Sequence, residues 1–182
     1  MKSRILTMMV ALVATVAMAA CSATRTTRST GETVDDATVT AKVKTALARD
    51  PSTSAFRIDV DTFRGEVQLN GFVDTADMKS SATRVARSVS GVKSVSNNLK
   101  VNTSERTAGE VVDDGVITAK VKAALLSDPN VSGHEVNVQT REGVVQLAGF
   151  VDSGAQKAKA SEVTRHIAGV RQVDNQLEVK QR

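Results

Sequence analysis

Four groups of side chains in this 182-residue chain have types and spacings that bear on chemistry. They are the lysine pairs Lys42 with Lys44 and Lys120 with Lys122, the aspartate pairs Asp35-Asp36 and Asp113-Asp114, the lone Cys21, and the histidines His134 and His166. Two lysines two residues apart stand about 200° apart around a helix, so each pair flanks an apolar stripe: Val39, Val43 and Leu47 for the first, Ile117, Val121 and Leu125 for the second. A helix of this kind can rest on a phosphate-rich surface, its ammonium groups meeting phosphates while the lysine stems and a few aliphatics approach the interface. The bland alternative is that the stripe packs on a sheet and the lysines are solvated. Function then lies elsewhere, in protein partners or in loops such as residues 130–133. Each aspartate pair precedes a helical run, so capping and the helix dipole explain it better than calcium binding does.

The same spacing in both pairs is part of a larger pattern. VQLNGFVD (67–74) returns as VQLAGFVD (145–152), and the offset of 78 residues holds without a gap from Asp35/Asp113 to Val101/Val179. Roughly half of the aligned positions are identical, which marks a tandem duplication of a unit too long for a solenoid repeat and long enough to close a small core. The expected organisation is a first domain over 35–102, a polar linker over 103–112 and a second domain over 113–180. With the copies aligned, His134 falls opposite Phe56 and His166 opposite Ser88, so the histidines form no shared metal or acid-base pair. There is no glycine-rich phosphate loop and no carboxylate dyad. The expectation is a protein without enzymatic activity, cofactor or metal.

Each copy shows the same elements. Val39, Val43, Ala46 and Leu47, and their counterparts Ile117, Val121, Ala124 and Leu125, predict a helix of about three turns that starts at the aspartate pair and ends before Asp50-Pro51 or Asp128-Pro129. Alternating runs around Gly65 and Gly143 predict a β-hairpin, with Gly71 and Gly149 inside its return strand marking a bulge or the close approach of a helix backbone. Thr75 and Ser153 then cap a second helix, Gly91 and Gly169 supply its left-handed C-terminal cap, and a last alternating run predicts a strand. The fold class is α+β: two tandem α-β-β-α-β domains, each a three-stranded mixed sheet with two helices on one face.

The N-terminus belongs to neither domain. MKSR is a basic start, residues 5–16 are apolar, and small residues run up to Cys21, as in a secretory signal over 1–20. Ala17-x-Ala19 suits ordinary signal peptidase, and Met18-Ala19-Ala20-Cys21 suits lipoprotein processing. A single cysteine has no intramolecular disulfide partner, which favours Cys21 as a lipid anchor followed by a flexible tether over 21–34. Loss of Lys2 and Arg4 with the signal leaves 22 basic against 20 acidic side chains, a net charge of +2. With an exported chain, a near-neutral charge and four phenylalanines as its only aromatic residues, nucleic acid is not expected as a partner.

The helix DDATVTAKVKTAL or DDGVITAKVKAALL, the hairpin ending GVVQLAGFVD and the closing GVRQVDNQLEV resemble two BON domains across nearly all of the mature chain. Within that family the chain is most similar to the osmotically inducible periplasmic protein Y group and the dual-BON outer-membrane lipoproteins. The resemblance implies a location facing the periplasm, a role in osmotic or envelope stress, no catalysis and, in the lipoprotein branch, binding of anionic phospholipid by the first helix of the second domain; a monomer is the expected state. The residues this places at the lipid are Val116, Ile117, Lys120 and Lys122, with Lys42 and Lys44 as their first-domain counterparts. Val116 stands where the lipid-binding relatives have a tryptophan, and Val lacks that residue's polar tip. From another class comes the alternative of a soluble periplasmic module that protects or binds envelope proteins.

Overall fold

Residues 30–53, 58–103 and 107–181 are described by the computed structural model. The first domain comprises α1 (Thr30–Arg49), β1 (Ile58–Phe63), β2 (Glu66–Val73), α2 (Ala76–Arg87), β3 (Ser94–Asn97) and β4 (Lys100–Val101). The second repeats the order as α3 (Ala108–Ser127), β5 (Asn137–Arg141), β6 (Val144–Val151), α4 (Gly154–Arg165) and β7 (Gln172–Val179), with a short 3-10 turn at Gly133–Glu135 before β5.

In each domain the hairpin is antiparallel and the last strand adds to it in parallel, giving the orders β1-β2-β3, with β4 also on β2, and β5-β6-β7. A parallel partner requires a crossover, and α2 and α4 supply it. They begin where Thr75 and Ser153 accept from the backbone N–H groups of Met78 and Gln156.

One face of each sheet carries the helices. Val43, Leu47, Val67, Leu69 and Leu99 form one core with their neighbours, and Val121, Leu125, Val145, Leu147 and Leu177 form the other. Each fully buried Val or Leu contributes about 1.5–3 kcal/mol of transfer free energy. The helical stripes predicted from the sequence are therefore sheet-facing core.

The opposite faces of the two sheets meet each other, which is why β2 and β6 are buried on both sides. Gln68 Oε1 accepts from Gly149 N at 3.1 Å, and Gln146 Oε1 accepts from Gly71 N at 2.6 Å. The amide ends point on to equivalent carbonyls, Gln68 Nε2 to Gln176 O at 3.4 Å and Gln146 Nε2 to Asn98 O at 2.8 Å. Every member of this set lies 78 residues from its counterpart, so the two copies meet about a local two-fold axis as the subunits of an isologous dimer do. Around it, Gln139 Nε2 donates to Asp59 at 2.6 Å and Asn137 Nδ2 to Asp61 at 2.7 Å. Asp59 and Asp61 are the repeat counterparts of Asn137 and Gln139. Pairing a carboxylate copy with an amide copy avoids the like-charge contact that two identical first domains would make.

Four details differ from the sequence reading. The first helices start earlier: α3 is capped by Thr107, whose side chain accepts from Glu110 N while Glu110 Oε2 accepts from Thr107 N, so residues 108–112 are helical. Asp36 and Asp114 consequently lie inside helices rather than at their N-caps. Phe63 and Phe150, whose places in alternating strands suggest core packing, instead meet each other from the two domains, at 5.4 Å between ring centroids. Gly149 is approached not by one of the long helices but by the short 3-10 turn, a Cβ there standing 2.3 Å from Glu135 O. Gly91 and Gly169 do have positive φ, 99° and 95°, but α2 and α4 have already ended at Ser88 and His166. A Cβ on these glycines would crowd Val39 and Ile117 of the first helices, at 2.7 and 2.9 Å.

Candidate functional site

The two first helices carry the site residues expected from the sequence, and the structure sorts them by face. Val39, Val43 and Leu47 of α1 and Ile117, Val121 and Leu125 of α3 are buried. Ile117 is thus corrected from a surface residue to a core residue, 8% exposed and packed over Gly169, because it shares the inward stripe with Val121. Lys42, Lys44, Lys120, Lys122 and Val116 are all exposed. Cys21 lies outside the described residues.

A lysine pair about 200° apart on the inward side is about 160° apart on the outward side, so each pair also borders a second, solvent-facing strip. On α3 that strip consists of Gly115, Val116, Ala119, Ala123 and Leu126, all exposed and uncharged. Val116 is 46% exposed and Leu126 63%, and together with Val111 they are the exposed large apolar residues among those described on this helix. On α1 the same strip reads Ala37, Thr38, Ala41, Thr45 and Ala48. The two helices share their lysines and differ in what lies between them: three aliphatic positions of α3, Val116, Ala123 and Leu126, replace two threonines and an alanine. The outward strip was legible only once the inward stripe was assigned to the core. Its signal in the sequence is the excess of aliphatic residues over DDGVITAKVKAALL.

Asp36 and Asp114 perform a structural task. Asp36 accepts from Arg64 N at 2.8 Å and Gly65 N at 2.9 Å, and Asp114 accepts from Glu142 N at 2.9 Å and Gly143 N at 3.0 Å. Each carboxylate clamps its own hairpin turn, whose central residues have positive φ (52° and 81°, 53° and 74°). Among the described residues no three His, Cys, Asp or Glu side chains gather as a metal site. His134 stands in the 3-10 turn and His166 ends α4, its Nδ1 2.8 Å from Glu162 O. Neither joins a second titratable group by hydrogen bond. No helix of the described residues is long and apolar enough to cross a membrane.

A model of the BON domain family matches residues 35–103 and 113–181. The chain is 39% identical over 151 residues to osmotically-inducible protein Y of Escherichia coli K12, covering 82% of this chain and 75% of that protein. It is 33% identical over 144 residues to the outer membrane lipoprotein DolP of Haemophilus influenzae, covering 79% and 74%. Among solved structures it is similar to the C-terminal domain of CdsD, a structural protein of the Chlamydia trachomatis type III secretion system, with a TM-score of 0.30 and 16% identity. That alignment covers 76% of this chain and 63% of the other.

Proposed function

The chain belongs to the BON-domain family, with two copies of the domain, and from that premise we propose that it is a non-enzymatic cell-envelope protein whose second domain docks on anionic phospholipid through α3. The observation that carries this reading is the outward face of α3, an aliphatic strip of Val116, Ala119, Ala123 and Leu126 bordered on both sides by Lys120 and Lys122. Aliphatic groups between cations suit a surface with phosphates over hydrocarbon. A lysine near an anionic leaflet contributes about 1 kcal/mol, so two lysines and a few methyl groups make a weak, salt-sensitive contact. No tryptophan or tyrosine is present to deepen it.

A weak contact is sufficient if the chain is held at the membrane. In this reading Cys21 is acylated and the segment before the first domain is the tether, which raises the effective concentration of α3 at the outer-membrane leaflet facing the periplasm. The lipoprotein-like residues before Cys21 and the relation to an outer membrane lipoprotein support that placement. The relation to an osmotically inducible protein supports a role in maintaining the envelope under osmotic stress.

The test is flotation of the full chain with phosphatidylglycerol vesicles, carried out in a Cys21→Ser background so that no acyl group contributes. Flotation at low salt that falls at high salt, and is lost in Lys120→Glu/Lys122→Glu, is expected. Equal flotation of the variant would overturn the assignment of α3, and absence of flotation at low salt would favour the soluble protein-binding alternative.

A further inference from the structure

Each domain has a cleft at the same place, enclosed by the first helix, the hairpin turn and the loop that follows the second helix. The first-domain cleft, of about 300 Å³, is lined by Asp35, Asp36, Thr38, Val39, Lys42, Arg64, Gly65, Ser90, Gly91 and Lys93. The second-domain cleft, of about 440 Å³, is lined at the repeat-related positions by Asp113, Val116, Ile117, Lys120, Glu142, Gly143, Ala168, Gly169 and Arg171, with Glu110 and Val170 besides. The framework is therefore common to both: a helix lysine, a basic residue after the glycine, and two glycines of positive φ.

What differs between the clefts differs in one chemical sense. Thr38, Arg64 and Ser90 stand where the second domain has Val116, Glu142 and Ala168. Two hydroxyls and a guanidinium replace two aliphatic groups and a carboxylate. The first cleft holds three cations, Lys42, Arg64 and Lys93, against two carboxylates, Asp35 and Asp36, and that of Asp36 is already held by the turn amides. The second holds Lys120 and Arg171 against Glu110, Asp113 and Glu142. Arg64 also has partners of its own: its guanidinium carbon lies 5.5 Å over the Phe63 ring and its Nη1 donates to Gln181 O at 3.0 Å.

We propose that the first-domain cleft is an anion site for a phosphate group, recognised by Lys42, Lys93 and Arg64 with the Ser90 hydroxyl, and that the second-domain cleft is not. Three donors of positive charge around a small cleft match a tetrahedral anion, and the guanidinium can meet it with paired N–H groups. This site is separate from the outward face of α3, so either assignment can fail without the other. The phosphate can be free or carried by a lipid headgroup.

The test follows amide NMR shifts of the full chain at constant ionic strength during titration with inorganic phosphate, with glycerol phosphate and with phosphatidylglycerol vesicles. Saturable shifts at Gly65, Gly91 and Lys93, without matching shifts at Gly143, Gly169 and Arg171, are expected. Saturation by inorganic phosphate as readily as by glycerol phosphate identifies a free-phosphate site; preference for glycerol phosphate and vesicles identifies a headgroup site. The decisive variant is Thr38→Val/Arg64→Glu/Ser90→Ala, which gives the first cleft residues that the second domain already accommodates at the same backbone positions. It should lower phosphate affinity by about tenfold or more, the scale of one charge-assisted contact. Unchanged affinity in this variant, equal shifts in both clefts, or no saturable shift with any of the three probes would overturn the proposal. Lys120→Glu/Lys122→Glu should leave the soluble-phosphate titration unchanged.

Discussion

Gln68 and Gln146, 78 residues apart, each reach across the domain boundary to accept the backbone N–H of the other copy's strand glycine, Gly149 for Gln68 and Gly71 for Gln146. Both side chains are essentially inaccessible to solvent. Glutamine and glycine both belong to the octapeptide that first reveals the duplication, so it also supplies both halves of the contact that joins its products.

Gln68→Ala or Gln146→Ala leaves a buried N–H and a half-buried carbonyl without that partner. Each substitution is expected to cost about 1–3 kcal/mol in urea unfolding. In a double-mutant cycle the pair should couple, since both side chains hold the same interface. Additive losses would show that the domains are held independently of this contact.

Asp36→Ala and Asp114→Ala each release two turn N–H groups from a charged acceptor. A loss of about 3 kcal/mol is expected for either, with faster hydrogen exchange at Gly65 or Gly143. A change below about 0.5 kcal/mol, the scatter of ordinary surface substitutions, would contradict the clamp.

Burial raises the Asp61 pKa above its ordinary value of 3.8; the hydrogen bonds from Asn137 and Asn70 oppose the shift and the nearby Asp59 adds to it. A raised folded-state pKa means that the native state holds the proton more tightly than the unfolded chain does. The associated stabilisation is complete below the unfolded value and is lost as pH rises through the folded one. Relative to Asp61→Asn, the native chain should therefore become less stable as pH rises from about 3.8 toward neutrality, read from urea midpoints across that range. A difference that does not change with pH would show that Asp61 does not titrate in this window.

Two glycines are expected to respond to alanine with opposite signs. Gly149→Ala sets a Cβ 2.3 Å from a backbone carbonyl at φ 120° and should cost at least about 2 kcal/mol. Gly115→Ala lies in open space within α3 and should stabilise by about 0.5–1 kcal/mol. Thermal or urea unfolding of both variants reads the contrast directly.

The elements of each domain were legible because their periodicities are strong and occur twice. Val121 and Leu125 repeat Val43 and Leu47, and the Gly-containing turns sit between alternating runs. The task of Asp36 and Asp114 was not legible. An aspartate before an apolar stripe looks like a cap, and only the fold brings a hairpin turn to it from 28 or 29 residues away. The domain interface was equally hidden: Gln68 and Gln146 occupy the polar positions of strands whose sequence alternates, and nothing local distinguishes a solvated face from one covered by a second copy. The same limit applies to α3, whose outward aliphatic strip is masked in the sequence by the stronger inward one.

The direct test of membrane docking by α3 is paramagnetic broadening of amide signals by spin-labelled lipid in phosphatidylglycerol nanodiscs, in the Cys21→Ser chain. Broadening concentrated on Val116, Ala119, Ala123 and Leu126, weaker on the matching residues of α1 and abolished by Lys120→Glu/Lys122→Glu, is expected. Broadening that favours α1, or that survives the charge reversal unchanged, would contradict it.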